Sequence, residues 1–285
     1  MIKKFNYLIQ AILISIFFIL ARLIGLRLSR KLFSAIFINV APIFKSKKII
    51  NKNLEILSKK NPVLDKERII SNMWSNYGMT FVEYIFLNQF RKNNSQIEIE
   101  GEKNLENLIS KYKKVIFVSG HFANYELMSM EITRKKIKLA TIYRPLNNFF
   151  LNPLMEFLRR RYVCKFQIKK GIRGVRESIE YLKKDFSIAL MIDQRVSEGE
   201  KINFFDRPAF TTTLPAQLAI KFNLPIVPVY IERKINNNFR IKFFKELNPL
   251  NFKNKLEITN RLNLILEEMV LRNPSQWIWT HNRWK

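Results

Sequence analysis

Histidine, cysteine and glycine are scarce in this chain, and each scarcity removes a class of chemistry. Its 285 residues include two histidines, one cysteine and seven glycines. A lone cysteine, Cys164, excludes an internal disulfide and any multi-cysteine zinc site, and it reads as a small apolar residue near a helix end. His121 and His281 are far apart and H-E-x-x-H does not occur, so neither a metal nor a cofactor is expected. There is also no Walker loop, no G-x-G-x-x-G and no G-x-S-x-G elbow. Acidic residues are the remaining shortage: 23 Asp and Glu face 50 Lys and Arg, a formal net charge of +27. Abundant Lys, Asn, Ile and Phe point to a coding bias behind part of that charge. The rest favours anionic surroundings: phospholipid headgroups, phosphorylated substrates, an acidic carrier protein or nucleic acid.

What is present begins with an apolar run from Tyr7 to Leu26, interrupted mainly by Gln10, Ser15 and Arg22. At a helical rise of ~1.5 Å per residue it just reaches across a hydrocarbon core of about 30 Å. Basic residues after the run (Arg27, Arg30, Lys31) outnumber Lys3 and Lys4 before it, which places the following domain on the cytoplasmic side. No small-x-small cleavage site follows, and a helix lying in the interface is the competing reading. Residues 1–28 are therefore read as a membrane-anchor helix.

Residues 29–95 read as helical. Asn61-Pro62 breaks the first run, Asp65 looks like the cap of the next, and Trp74, Tyr77, Phe81, Tyr84 and Ile85 form a stripe suited to core packing. Gln89–Ser95 is a polar junction. In residues 96–285, strand-like runs at 115–118, 138–143, 188–192, 226–231 and 240–244 alternate with helical patterns at 150–162, 172–184, 214–222 and 255–271. Asn236–Asn238 suits a hairpin turn. This alternation predicts an α/β fold with a mostly parallel central sheet flanked by helices.

The sharpest chemical signal is V-I-F-V-S-G-H-F-A-N-Y-E, Val115–Glu126. A buried-looking strand runs into Ser119-Gly120 and His121, with Glu126 following. On one continuous helix that spacing turns through about 140°, so the two side chains can meet only if His121 lies on the turn and Glu126 in the helix. His121 is read as a general base and Glu126 as its orienting acid, with a satisfied structural histidine as the bland alternative. Ser119 lacks a recognised nucleophile geometry and Cys164 has no histidine near it in sequence. A base without a protein nucleophile suggests activation of a substrate hydroxyl.

Three more clusters fall after strands, where α/β proteins gather ligands. Arg144 in Y-R-P could hold a phosphate, and Asp193-Gln194-Arg195 ends a strand. Phe204–Thr213, containing Arg207, precedes a helix that Thr211, Thr212 and Thr213 could cap or turn into an anion site. Arg159–Arg161 is a basic knot. Each cluster alone is as consistent with a turn, a cap or a solvated face.

Together, G-H-F-A-N-Y-E, Y-R-P-L-N-N, D-Q, F-F-x-R-P-A-x-T-T-T, L-P-I-V-P-V and W-x-W-x-H-x-R-W resemble the bacterial lipid A biosynthesis (lauroyl/myristoyl) acyltransferases, within the glycerolipid acyltransferase superfamily marked by H-x-x-x-x-D/E. The resemblance covers nearly the whole chain. It implies a glycerolipid acyltransferase-like fold at the bacterial inner membrane, with the catalytic domain on the cytoplasmic side. It implies transfer of a fatty acyl chain from acyl carrier protein to a hydroxyl of a phosphorylated lipid A precursor. His121 would match the family base and Glu126 its acid, while Arg159 and Asp193 match residues implicated in activity. Arg195 stands where the family often has a second acid, and Asp206 where it usually has glycine. A lysophospholipid or other glycolipid acyltransferase is the alternative within the class. A basic, non-enzymatic membrane- or nucleic-acid-binding protein is the alternative outside it, and no nucleic-acid partner is expected.

Overall fold

The apolar N-terminal run folds back on itself. In the computed structural model, which describes residues 2–60, 62–93 and 95–285, helix α1 (Ile2–Val40) is broken at Gly25 by φ 78°, ψ 167°. That conformation is open almost only to glycine. The rings of Phe17 and Phe33 lie 6.2 Å apart across the bend, and Ser29 Oγ donates to the Ala21 carbonyl at 2.8 Å. About 24 Å of straight helix would separate those two phenylalanines. The expected boundary after residue 28 is thus corrected: the chain turns at Gly25, and residues 26–40 form a second arm.

Helices α2 (Lys47–Lys60), α3 (Lys66–Glu83) and α4 (Leu87–Lys92) follow. Asp65 caps α3 as expected, accepting from the Arg68 amide at 2.9 Å. The expected break at Asn61 falls on a residue outside those described, as does Asn94 in the expected polar junction. Helix α4 occupies the start of that junction. Gly78 of α3 lets the second arm of α1 dock, because a Cβ there would lie 2.2 Å from the Phe33 carbonyl oxygen.

The rest alternates strand and helix, with β1, α5 and β4 added to the expected elements: β1 (Ile97–Glu100), α5 (Glu102–Tyr112), β2 (Ile116–Ser119), α6 (Glu126–Arg134), β3 (Leu139–Tyr143), α7 (Asn152–Leu158), β4 (Phe166–Lys169), α8 (Ile172–Lys183) and β5 (Ser187–Met191). A hairpin of β6 (Glu200–Phe204) and β7 (Arg207–Thr211) precedes α9 (Leu214–Phe222), β8 (Ile226–Arg233), β9 (Phe239–Phe243) and α10 (Lys255–Arg272). The seven-stranded sheet has the order β1-β9-β8-β2-β5-β3-β4. Its last five strands are mutually parallel, and β9 and β1 run the other way. Ile116, Val118, Ile188 and Leu190 point into a core shared with α8, α9 and α10. Their neighbours Phe117 and Ala189 point into a second core with α5, α6 and α7. A sheet buried on both faces explains the continuous apolar runs of its central strands.

Candidate active site

The site is set by register. Ser119 at the end of β2 pairs with Met191 at the end of the adjacent parallel β5, so the residues just beyond, His121 and Asp193, emerge side by side. His121 Nδ1 lies 2.7 Å from Asp193 Oδ1, and the His121 amide donates to Asp193 Oδ2 at 2.8 Å. Trp277 Nε1 donates to the same Oδ2 at 3.0 Å. Asp193 is 0% exposed. Burial pushes its carboxyl up, but the His121 interactions and the Trp277 bond outweigh that and hold it below the ordinary value. A carboxylate on Nδ1 fixes the tautomer that leaves Nε2 as the acceptor. Among the described residues Nε2 has no hydrogen-bond partner, and the ring packs edge-on against Tyr125 at 4.7 Å.

Glu126 does not orient His121, which corrects the expected pairing. As predicted, His121 lies off the helix and Glu126 begins α6, but Glu126 is bound elsewhere. Its Oε1 accepts from Arg159 Nε at 2.8 Å and from the Tyr84 hydroxyl at 2.5 Å. Arg159 Nη2 donates in turn to the Tyr84 oxygen at 2.9 Å. A π-helical turn, Arg159–Val163, continues α7 and aims Arg159 inward; its signature is the Cys164 amide bonding the Arg159 carbonyl at 2.9 Å. Burial disfavours the Arg159 cation, but Glu126 together with Tyr84 and Tyr125 outweighs it and the pKa is raised. Burial likewise drives the Tyr84 hydroxyl well above its usual value.

The loop between β2 and α6 is held from three sides. Ala123 sits at φ 43°, its carbonyl accepting from Thr80 Oγ1 at 3.0 Å and its amide donating to the Gln276 carbonyl at 3.1 Å. Asn124 Nδ2 donates at 2.9 Å to Glu83, a fully buried carboxylate that also binds Arg30 at 2.6 Å and Arg233 at 2.5 Å. Burial favours the neutral acid at Glu83, yet the two arginines keep it below the ordinary carboxylate range. Gly120 is needed for room rather than for a left-handed turn: a Cβ there would sit 2.7 Å from the Phe122 ring.

His121, Tyr125, Glu126 and Arg159 line a cavity of about 400 Å³. Buried Met128, Ser129, Gln167 and Leu190 form its inner wall, and exposed Arg144, Leu146 and Asn147 its rim. Gln194 and Ile278 are shared with a second, mostly apolar cavity of about 550 Å³ between the second arm of α1, α3 and the C-terminal tail. Thr212 also lines the first cavity, while its Oγ1 accepts from the Leu214 amide at 3.3 Å at the start of α9. Thr211 is removed as an anion ligand: it is buried and takes bonds from Arg283 at 2.7 Å and Asn263 at 3.3 Å. Arg207, at the start of β7, lines neither cavity.

The alternative nucleophiles are occupied. Ser119 Oγ is buried and donates to the Val229 carbonyl at 2.6 Å. Cys164 is buried, which pushes its thiol pKa up. Sequence reasoning missed Trp277, Tyr84 and the Glu83 cluster. Trp277 was visible only as part of an aromatic-rich tail, and Tyr84 only as one more member of a core stripe.

Comparison with known proteins places this chain among the acyltransferases. More narrowly, a family model described as bacterial lipid A biosynthesis acyltransferase matches residues 2–285, and the chain belongs to that family, as its motifs implied. The lipid A biosynthesis palmitoleoyltransferase of Escherichia coli (strain K12) is 26% identical over 252 residues, 83% of this chain and 78% of the relative. A lipid A biosynthesis acyltransferase of Shigella flexneri matches with the same figures, 26% over 252 residues. Among solved structures, the 1-acyl-sn-glycerophosphate (LPA) acyltransferase PlsC of Thermotoga maritima is 16% identical, covering 89% of this chain and 100% of its own, with a TM-score of 0.42.

Proposed function

We propose that this acyltransferase moves a fatty acyl chain from acyl carrier protein directly to a hydroxyl of a phosphorylated lipid A precursor, with His121 as the base. The observation that carries this reading is the Asp193–His121 contact of 2.7 Å, which leaves the second imidazole nitrogen free beside a cavity. Neutral His121 takes the proton from the acceptor hydroxyl as that oxygen attacks the thioester carbonyl. Asp193 stabilises the imidazolium so formed. When the tetrahedral intermediate collapses, the carbon–sulfur bond breaks, and the imidazolium returns its proton to the departing thiolate.

Arg144 on the exposed rim suits a phosphate of the acceptor. The apolar cavity behind Gln194 and Ile278 suits hydrocarbon. The net charge of +27 favours docking of an acidic carrier protein, with affinity that falls as salt rises. Helix α1 is long and apolar enough, by length and composition, to hold the enzyme on the bacterial inner membrane, with the catalytic domain on the cytoplasmic side.

The test is an in vitro assay with defined acyl donors and lipid A precursors, read by mass spectrometry. Acyl-carrier-protein donors should give a product heavier by one acyl chain, and His121→Ala should lower the rate about 10²–10⁴-fold. Near-normal transfer by His121→Ala would remove the base from this scheme. Acylation of lysophospholipid in place of the lipid A precursor would change the acceptor.

A further inference from the structure

The C-terminal tail is anchored on both sides of Trp277. Before it, the Gln276 side chain bonds the amide and the carbonyl of Arg233, each at 2.7 Å, at the end of β8. After it, Asn53 Nδ2 of α2 donates to the Trp279 and His281 carbonyls, both at 2.8 Å, from a fully buried position. Trp277 itself is buried. Its ring stands edge-on to Trp279 at 4.7 Å and to Phe204 at 5.8 Å, which fixes the direction of its N–H.

That N–H ends on Asp193 Oδ2 at 3.0 Å. The other three tryptophans have no ionisable partner. Trp279 and Trp284 donate to the Pro274 and Phe204 carbonyls at 2.7 and 2.8 Å, and Trp74 Nε1 has no partner among the described residues. With His121 neutral, the His121–Asp193 pair carries one buried negative charge; with His121 protonated, the pair is neutral overall. Hydrogen bonds to an ionised acceptor are the stronger ones, so a donor on Oδ2 stabilises the charged pair more than the neutral pair. It therefore opposes protonation of His121.

We propose that Trp277 is a positioning residue for acyl transfer: its N–H holds the Asp193 carboxylate against His121 and keeps the imidazole neutral, able to accept the proton of the acceptor hydroxyl. Trp277 lines neither cavity, so it acts only through Asp193. The other ionisable groups around the pair are Tyr77 of α3, Tyr125 of the loop, and His281 and Arg283 of the tail, with Glu126, Arg159 and Lys170 across the cavity. Replacing the indole alters none of them, so a change in the protonation of the pair reports the lost N–H.

This rests on His121 as the base, and the test separates the two. The full chain is assayed across pH with a defined acyl-carrier-protein donor and a lipid A precursor. Trp277→Phe keeps a ring in the slot and removes the N–H. The acid limb of its kcat/KM profile should move to higher pH, lowering kcat/KM about 3–10-fold below the limb and restoring it above. Trp279→Phe loosens the same tail without touching Asp193, and its limb should stay at the wild-type position. A limb that does not move in Trp277→Phe, or that moves equally in both variants, overturns the proposal. Should Trp277→Phe fail to fold, the wild-type indole N–H resonances decide. One of the four should shift along the acid limb, and no shift overturns the role. Near-normal transfer by His121→Ala removes the base and this inference with it, whereas its loss beside an unmoved Trp277→Phe limb removes Trp277 alone.

Discussion

His121 takes its orientation from Asp193, at 2.7 Å, and not from the nearer acid in sequence, Glu126. Asp193→Asn keeps the shape but removes the charge that stabilises the imidazolium. It should lower the rate of acyl transfer about 10²–10⁴-fold with little change in KM. A near-normal rate would show that the contact does no more than position the loop.

Glu126 and Arg159 form a buried pair, and breaking one side strands the other charge. Glu126→Gln should cost about 3–5 kcal/mol in equilibrium unfolding. Adding Arg159→Met should recover much of that loss, because the unpaired guanidinium is then gone. A double variant no more stable than the single would mean that the Tyr84 bonds dominate the cluster.

Buried Asp193 and half-buried His281 give stability a defined response to acid. Burial resists ionisation of Asp193, but its partners win and its folded pKa lies below 3.8. Its contribution is present in full above 3.8 and is lost as pH falls through the lower folded value. Burial also lowers His281, whose Nε2 accepts from the Arg195 amide at 2.9 Å, below the ordinary histidine value of 6.5. The unfolded chain takes up that proton first, so this contribution is complete above 6.5 and declines as pH falls toward the folded value. Denaturation midpoints across pH should show His281→Gln flattening the response below 6.5 and Asp193→Asn flattening it below 3.8.

At Gly25 a Cβ would have open space around it, yet the backbone conformation, φ 78° and ψ 167°, resists any side chain. Gly25→Ala should therefore cost about 1–3 kcal/mol by strain alone. A thermal midpoint equal to that of the wild type would mean that the bend is not required.

The fold was legible where burial was two-sided. Strands β2, β5 and β8 read as continuous apolar runs because helices cover both faces of the sheet. The four-residue strands β1 and β4 lie at its two edges and escaped notice, as did the β6–β7 hairpin outside it. His121 could be found because a histidine after a strand is chemically conspicuous. Its partner could not be chosen from spacing, since the contact depends on which strand lies beside β2. Glu126 was the natural choice in one dimension, and Asp193 the correct one once β5 is known to be the neighbour. Trp277 was harder still, as an indole reaching a buried carboxylate leaves no trace in periodicity.

The placing of β5 between β2 and β3 has a kinetic consequence. Strand β3 is synthesised before β5 yet lies beyond it in the sheet. His121 and Asp193 are 72 residues apart in the chain, and Trp277 a further 84 from Asp193. Closing such long loops costs entropy before any contact repays it, so strand pairing of this kind is slow. On that ground the helices and the local hairpin are expected to form early, and the His121–Asp193–Trp277 contacts among the last.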